Sequence, residues 1–256
     1  MESLTLKLIL TPTLIGAASL TGRRWGPTVS GWLVGLPFTS GPITFFLALN
    51  EGVAFARAAA VGTLSGAVSQ AAFCLAYGWL AIHFDWPLTV LASTLVFAGA
   101  TLVLQSLHLP LVVLFLAVLL VLLIVLRLMP RHPAAVSSAD PPPQWDIPAR
   151  MATATAFVLL LTELAPALGP YLTGLLAPFP LYATILAAFA HHLQGPSPAI
   201  GVLRGLLLGL FAFASFFLVL AALIEPVGIA LAFGAATLVA LMLQGGSFWV
   251  LQRVWK

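Results

Sequence analysis

The chain has 256 residues, of which 61% are hydrophobic and only 7% are charged, and its mean hydropathy is +1.12. A soluble domain carries about 25% charged residues, so the composition excludes a soluble enzyme and predicts an integral membrane protein surrounded by lipid. The net charge of +3 is interpreted as a signal of membrane topology and not as evidence of binding to an acidic partner. The sequence shows no nucleic-acid-binding patch and no cofactor loop, so neither nucleic acid nor a cofactor is expected.

Apolar runs bounded by charged residues, Gly or Pro predict about nine spans, each close to the ~20 residues that cross a bilayer as a helix. The first five are Leu4–Leu20, Thr28–Leu49, Ala54–Ile82, Trp86–Leu107 and Leu111–Met129. The polar, proline-rich stretch Pro130–Arg150 can neither form a helix nor lie in lipid, which predicts an exposed linker. Four further spans follow, Met151–Ala165, Tyr171–Leu193, Ile200–Ile224 and Val227–Leu251.

The chain repeats itself at a shift of 143 residues. Without a gap, 20 of the 71 positions of 26–96 are identical in 169–239. Several shared positions are Gly or Pro, whose placement is not fixed by lipid solubility alone. The repeat therefore predicts a duplicated unit rather than a chance likeness of apolar helices.

The predicted topology follows from the number of spans between the copies. Four spans form each copy and Leu111–Met129 joins them, so equivalent helices cross the membrane in opposite directions. With the N-terminus outside and the C-terminus inside, two of the ten cations, Lys7 and Arg57, lie outside. The other eight lie on the cytoplasmic side, as the positive-inside rule expects. They are Arg23, Arg24, Arg127, Arg131, Arg150, Arg204, Arg253 and Lys256.

The predicted fold is therefore all-α and polytopic, with about nine transmembrane helices in two inverted-topology repeats of four. Residues 1–107 form repeat 1, residues 108–150 form the linker helix and the polar loop, and residues 151–256 form repeat 2. The expected assembly is either a monomer that acts as a pseudo-dimer or a homo-oligomer.

A proline-rich interruption within the second span is the first candidate site. Pro37 and Pro42 lack an N–H and clash with the preceding turn, so the helix should kink or unwind there. Such backbone persists in a membrane only where it is buried in protein or faces water. Matching interruptions in two inverted halves indicate a transport site, although kinks that only improve packing are the alternative. The candidate substrate-binding residues are Pro37, Thr39, Ser40, Gly41, Pro42, Pro180, Tyr182 and Thr184.

Two glycine pairs occupy equivalent positions in the third and eighth spans. They are Gly62 with Gly66 and Gly205 with Gly209. Small residues four apart let helix backbones approach closely. These pairs predict that the third and eighth spans cross each other.

Few ionisable or hydrogen-bonding residues fall within the predicted spans. Glu163 is the best candidate for coupling to a proton or cation, because charges within spans are costly. His191 and His192 point about 100° apart on a helix, so a shared metal is not expected. Gln70, Gln105 and Gln244 are each expected either to hydrogen bond between helices, which is favoured, or to line a polar path. No catalytic constellation is evident, which argues against an enzyme.

The segment from Gly174 to Ile185, GLLAPFPLYATI, resembles the Gly-Leu…Phe-Pro…Ala-x-Ile pattern of the GlpM-like family. The resemblance covers chiefly Met151–Ile224, and more faintly the first copy through Gly35-Leu36-Pro37. That family consists of small bacterial inner-membrane proteins of about four spans without an assigned activity. The resemblance implies two fused family units in a bacterial inner membrane, and it implies architecture more than function.

Three functions are compatible with these patterns. A small secondary transporter or carrier would have its site between the two broken helices. Its substrate would be small and neutral, amphipathic or lipid-like, because few charges are buried. An accessory or scaffold protein of a membrane enzyme complex would need no polar pathway. An intramembrane lipid-processing enzyme would need converging polar groups, of which His83 and Asp85 are the nearest pair.

Overall fold

A computed structural model describes residues 2–38, 40–107, 109–130, 143, 145–156 and 179–254. Within these residues the chain is helical, with no β-strand. The helices are α1 (Glu2–Trp25), α2 (Pro27–Val34), α3 (Ser40–Asn50), α4 (Val53–Leu80), α5 (Trp86–Leu104), α6 (Leu111–Leu128), α7 (described over 146–156), α8 (Leu181–Gln194), α9 (Pro196–Val227) and α10 (Ile229–Val254).

Five of the described helices are long and apolar enough to cross a membrane. These segments are Val53–Leu80, Trp86–Leu104, Leu111–Leu128, Pro196–Val227 and Ile229–Ser247. They correspond to five of the spans predicted from the sequence. Their length and composition are those of a multi-pass membrane protein.

Helix α9 lies at the centre of the described bundle. It packs against α2, α4, α6, α8 and α10, and its buried residues run from Ala199 to Ile224. In contrast, α6 and α10 present leucines such as Leu116 and Leu241 outward. Apolar side chains on the outside are favourable in lipid, because the surrounding hydrocarbon is as apolar as the side chains themselves.

The helix boundaries follow the 143-residue repeat. Helix α4 begins at Val53 and α9 at Pro196, while α5 begins at Trp86 and α10 at Ile229, so each pair is separated by 143 positions. The glycines before α4 and α9 share one backbone conformation, with φ of 90° at Gly52 and 89° at Gly195. Only glycine adopts this conformation without strain. The sequence repeat is therefore accompanied by a repeat in local structure.

The equivalent helices α4 and α9 run antiparallel. Near the start of α4, the Arg57 Nε donates to the Ala221 carbonyl at 3.2 Å and lies 3.5 Å from the Glu225 carboxylate, near the end of α9. Near the start of α9, the Arg204 guanidinium donates to the Met129 carbonyl at 3.1 Å. Met129 in turn packs against Gly78 near the end of α4.

Helix α9 also makes a very close crossing with α2. A Cβ on Gly209 would lie 2.7 Å from the Gly35 Cα, and a Cβ on Gly205 would collide with the Thr28 carbonyl. Gly31 is equally crowded, since a Cβ there would collide with the Val202 carbonyl. We call these four glycines, Gly31, Gly35, Gly205 and Gly209, the glycine crossing.

The glycine crossing qualifies the sequence-based prediction about Gly205 and Gly209. Their closest contacts are with α2. Helices α4 and α9 do pack against each other, as the sequence predicts, but no described atom lies within 4 Å of a Cβ built on Gly62.

The end of the predicted linker is also different from the expectation. Residues 146–150 form the first turns of α7 instead of an exposed loop, and Asp146 is 2% exposed. Its carboxylate accepts from the Arg150 Nε at 2.7 Å and from the Arg23 guanidinium at 3.4 Å. These charges become buried because they neutralise one another, which composition alone does not indicate.

Candidate functional site

The interruption predicted in the second span is confirmed by a break between α2 and α3. Helix α2 ends at Val34 and α3 begins at Ser40. Within the break, which we call the first proline turn (residues 35–38), the Phe38 N–H donates to the Leu36 carbonyl at 2.8 Å. The Gly41 N–H donates to the Pro37 carbonyl at 2.9 Å.

The second proline turn (residues 179–180) has the same hydrogen bonds 143 residues later. The Leu181 N–H donates to the Phe179 carbonyl at 2.8 Å, and the Thr184 N–H donates to the Pro180 carbonyl at 2.9 Å. Pro180 has φ −78° and ψ 59°, an inverse γ-turn. Helix α8 begins directly after it, whereas the residues before Phe179 lie outside the described chain.

The break in the first copy frees carbonyls that other helices satisfy. The Gln244 amide on α10 donates to the Trp32 carbonyl at 2.7 Å, and the Trp32 indole donates to the Ser247 hydroxyl at 2.8 Å. The Leu33 carbonyl accepts from the Leu36 N–H at 3.3 Å. The non-helical backbone of the break is therefore satisfied by protein groups.

A small cavity, the inter-turn cavity, lies where the two proline turns face each other. Residues 34–36 and Ser40 line one side, residues 179–183 line the other, and Gln70, Leu206 and Phe213 complete the wall. The centre of a water molecule can occupy about 30 Å³ of it. One water needs about 10–15 Å³ on this measure, so the cavity has room for two or three water-sized groups.

The two copies give the cavity walls of different chemistry. Ser40 and Gln70 of the first copy line it, and so do their equivalents in the second copy, Ala183 and Phe213. The same relation holds for Leu36 and Phe179. The cavity is thus built from equivalent positions, and at two of them the first copy provides a hydroxyl and an amide where the second provides apolar side chains, although Tyr182 of the second copy also lines it.

The polar wall consists of two buried groups without a protein partner. Ser40 is 4% exposed and Gln70 is 5% exposed. No described residue hydrogen bonds to the Ser40 hydroxyl or to the Gln70 amide. Because both side chains border the open space of the cavity, their polar groups are positioned to bind water or a ligand there.

The predicted site residues divide into those at the cavity and those beside it. Ser40, Pro180 and Tyr182 line it, and the Tyr182 hydroxyl hydrogen bonds to the Thr11 side chain. Pro37 is the centre of the first proline turn without lining the cavity. Thr39 lies outside the described residues.

Three further predicted residues are not in the cavity wall. Gly41 packs against the Phe216 ring, and the Thr184 hydroxyl donates to the Pro180 carbonyl at 2.9 Å. Pro42 is exposed and does not line the cavity. It lies in the first turn of α3, where no N–H is required, and therefore does not break the helix.

The remaining ionisable candidates are placed as follows. Glu163 lies outside the described residues. His191 and His192 lie in the last turn of α8, where the Tyr77 hydroxyl is 3.5 Å from the His191 Nδ1 and the Trp86 ring is 5.8 Å from the His192 ring. Among the described residues, no three His, Cys, Asp or Glu side chains are arranged to hold a metal ion.

A column of aromatic rings leads away from the cavity. The Phe179 ring lies 5.3 Å from Phe97 and 5.8 Å from Phe73, and Phe73 lies 5.9 Å from Tyr77. Tyr77 then meets His191 near the end of α8. These contacts connect the cavity wall with the C-terminal ends of α4 and α8.

Sequence reasoning did not single out the apolar residues of the wall. Phe179 and Phe213 belong to apolar runs in which nothing distinguishes a ring facing a cavity from one facing lipid. Gln70 did stand out as an amide in an apolar span, but Gln105 and Gln244 stood out in the same way and do not line the cavity. The repeat could have linked Gln70 to Phe213, but only packing shows that both line one cavity.

Comparison with protein-family models, with curated proteins and with solved structures finds no match to this chain. The resemblance to the GlpM-like family therefore stays a prediction. The functional argument depends on the geometry of the site alone.

Proposed function

We propose that this protein is a small secondary transporter or carrier whose substrate site is the inter-turn cavity. One observation carries the proposal. Two proline turns with the same backbone hydrogen bonds, 143 residues apart, meet at a cavity that contains unpartnered polar groups. Broken helices at equivalent positions of two repeats are the usual setting of a transporter site.

The antiparallel arrangement of α4 and α9 supports the inverted repeat that such a mechanism requires. In the proposed topology, Arg57 and Glu225 lie at the outer face, while Arg23, Asp146 and Arg150 lie at the cytoplasmic face. The proposed location is a bacterial inner membrane, with the N-terminus outside and the C-terminus inside. Rocking of one repeat against the other would expose the cavity to each side in turn.

Cysteine accessibility tests this proposal without knowledge of the substrate. Cys74 is the only cysteine, so a Cys74→Ala background leaves Ser40→Cys as the single thiol. We expect a membrane-impermeant thiol reagent to modify Ser40→Cys in reconstituted vesicles from either side, because alternating access opens the cavity to both. The measurement is the extent of modification by mass spectrometry after exposure of each face separately.

Three single-cysteine controls fix the interpretation. Ser93→Cys replaces an equally buried hydroxyl on α5 that is away from the cavity and should be modified from neither side. Arg24→Cys should be reached only from the cytoplasmic face and Arg57→Cys only from the outer face. Modification of Ser40→Cys from one side only, or from neither, would contradict alternating access and favour the accessory or scaffold role.

A further inference from the structure

We propose that the inter-turn cavity binds a small uncharged solute that carries both a hydrogen-bond donor and an acceptor, of the primary amide or alcohol class. This inference rests on the proposed carrier function and names the class of its substrate. Three features of the cavity support it: the side chains that line it, the backbone carbonyls beside it and its small volume.

The described wall of the cavity favours an uncharged ligand. No charged side chain of the described residues lines it, and an ion without a counter-charge is strongly disfavoured at membrane depth. The backbone carbonyls compensate for this only in part. Those of Leu36 and Phe179 each accept one N–H, and that of Pro180 accepts both the N–H and the hydroxyl of Thr184, so few carbonyl lone pairs are left for a bare cation.

The polar wall selects a ligand that both donates and accepts. The Gln70 amide offers two N–H donors and a carbonyl acceptor, and the Ser40 hydroxyl can act in either sense. Both are buried and unpartnered within the described chain. A primary amide pairs with Gln70 through one donated and one accepted hydrogen bond, and a hydroxyl group pairs with Ser40 in the same way.

The apolar wall orients the ligand and the volume limits it. Phe213 and Ala183 are the repeat equivalents of Gln70 and Ser40, and all four residues line the cavity. A ligand would therefore direct its polar groups toward Gln70 and Ser40 and its carbon atoms toward Phe213 and Ala183. The 30 Å³ open to water centres admits about two or three water-sized groups. Urea and acetamide, with four non-hydrogen atoms each, are the probes closest to this size, and glycerol is a larger comparison solute.

Solute uptake into vesicles containing the full chain tests the inference. Stopped-flow light scattering records the rate at which shrunken vesicles swell again in urea, acetamide or glycerol. We expect faster swelling than in protein-free vesicles for at least one of the three. Ser40→Ala and Gln70→Leu should each reduce the protein-dependent rate by about two- to tenfold, as the loss of one hydrogen bond predicts.

Two matched variants separate binding from folding. Ser93→Ala removes a buried hydroxyl that bonds only to the Thr89 carbonyl and should leave the rate unchanged. Gln70→Asn keeps an amide and should retain more uptake than Gln70→Leu. If Gln70→Leu does not fold, the comparison of Ser40→Ala with Ser93→Ala decides the question.

Two results would overturn the inference. One is a protein-dependent flux of K⁺ or Na⁺ that Ser40→Ala reduces while no neutral probe enters. The other is neutral-solute uptake that is equal in wild type and Ser40→Ala. If Ser40→Cys is modified from both sides but none of the three probes enters, the ligand class is wrong and the carrier function stands. If Ser40→Cys is modified from neither side, the carrier function itself fails.

Discussion

The two buried glutamines of the described chain lie in contrasting surroundings. Gln244, 3% exposed, donates to the Trp32 carbonyl beside the glycine crossing, although its own Oε1 has no partner. Gln70, 5% exposed, has no hydrogen bond to any described residue and faces the inter-turn cavity. The Gln244 amide donates to a backbone carbonyl beside the helix break, whereas the Gln70 amide is available to hydrogen bond with a molecule in the cavity.

This contrast extends to the helices around them. At the glycine crossing, the backbones of α2 and α9 meet without intervening side chains, so this part of the bundle has little room to deform. On another side of α9, Leu206 and Phe213 line the inter-turn cavity. The glycine crossing joins a helix of the first repeat to a helix of the second, so in a carrier the rocking of one repeat against the other would turn about this close contact, with the unfilled site beside it.

A larger side chain within the glycine crossing should prevent α2 and α9 from packing and should therefore have the largest effect. Gly205→Leu would drive a side chain into the α2 backbone at Thr28, at a cost above about 3 kcal/mol, because backbone cannot move aside as a side chain can. We expect loss of the monodisperse protein in detergent, measured by size-exclusion chromatography. Gly99→Leu on α5, where no described atom lies within 4 Å of the Cβ, is the control that should fold normally.

Removal of the Gln244 amide should have a smaller effect. Gln244→Leu removes the 2.7 Å hydrogen bond that the amide donates to the Trp32 carbonyl. Hydrogen bonds between membrane helices contribute about 1 kcal/mol, which corresponds to a decrease of about 2–4 °C in the unfolding midpoint. A thermal unfolding curve in detergent measures it, with Met242→Leu on the exposed face of α10 as the control. An unchanged midpoint would show that the amide does not support the break.

The equivalent change at the cavity should leave stability unchanged or slightly improved. Gln70→Leu removes a buried amide that makes no protein hydrogen bond, so nothing is lost and a desolvation cost is relieved. We expect an unfolding midpoint equal to or above that of wild type, in the same assay. A decrease as large as that of Gln244→Leu would mean that Gln70 is a structural residue, and the contrast between the two amides would disappear.

The sequence predicted those features that depend on local chemistry. The start of α4 follows from Gly52, the first break follows from Pro37, and the repeat places their counterparts at Gly195 and Pro180. Apolar length predicted α4, α5, α6, α9 and α10 as spans. Each of these features depends on the residues of one segment and needs no knowledge of its neighbours.

Features that depend on which helices meet were not predictable in this way. Two glycines four apart indicate a close crossing, but they do not identify the partner, so the sequence did not show that the closest contacts of Gly205 and Gly209 are with α2. The burial of Asp146 depends on Arg23, which is more than a hundred residues away in the chain. The polar and apolar walls of the cavity likewise become visible only when the two copies are placed face to face.

The unequal walls of the cavity bear on how such a protein could have arisen. An assembly of two identical subunits has the same side chain on both sides of its symmetry axis, so a glutamine on one side implies a glutamine on the other. Fusion of the genes removes that restriction, because each half can then mutate alone. Gln70 opposite Phe213 is a combination that an ancestral homodimer could not have offered to an asymmetric molecule.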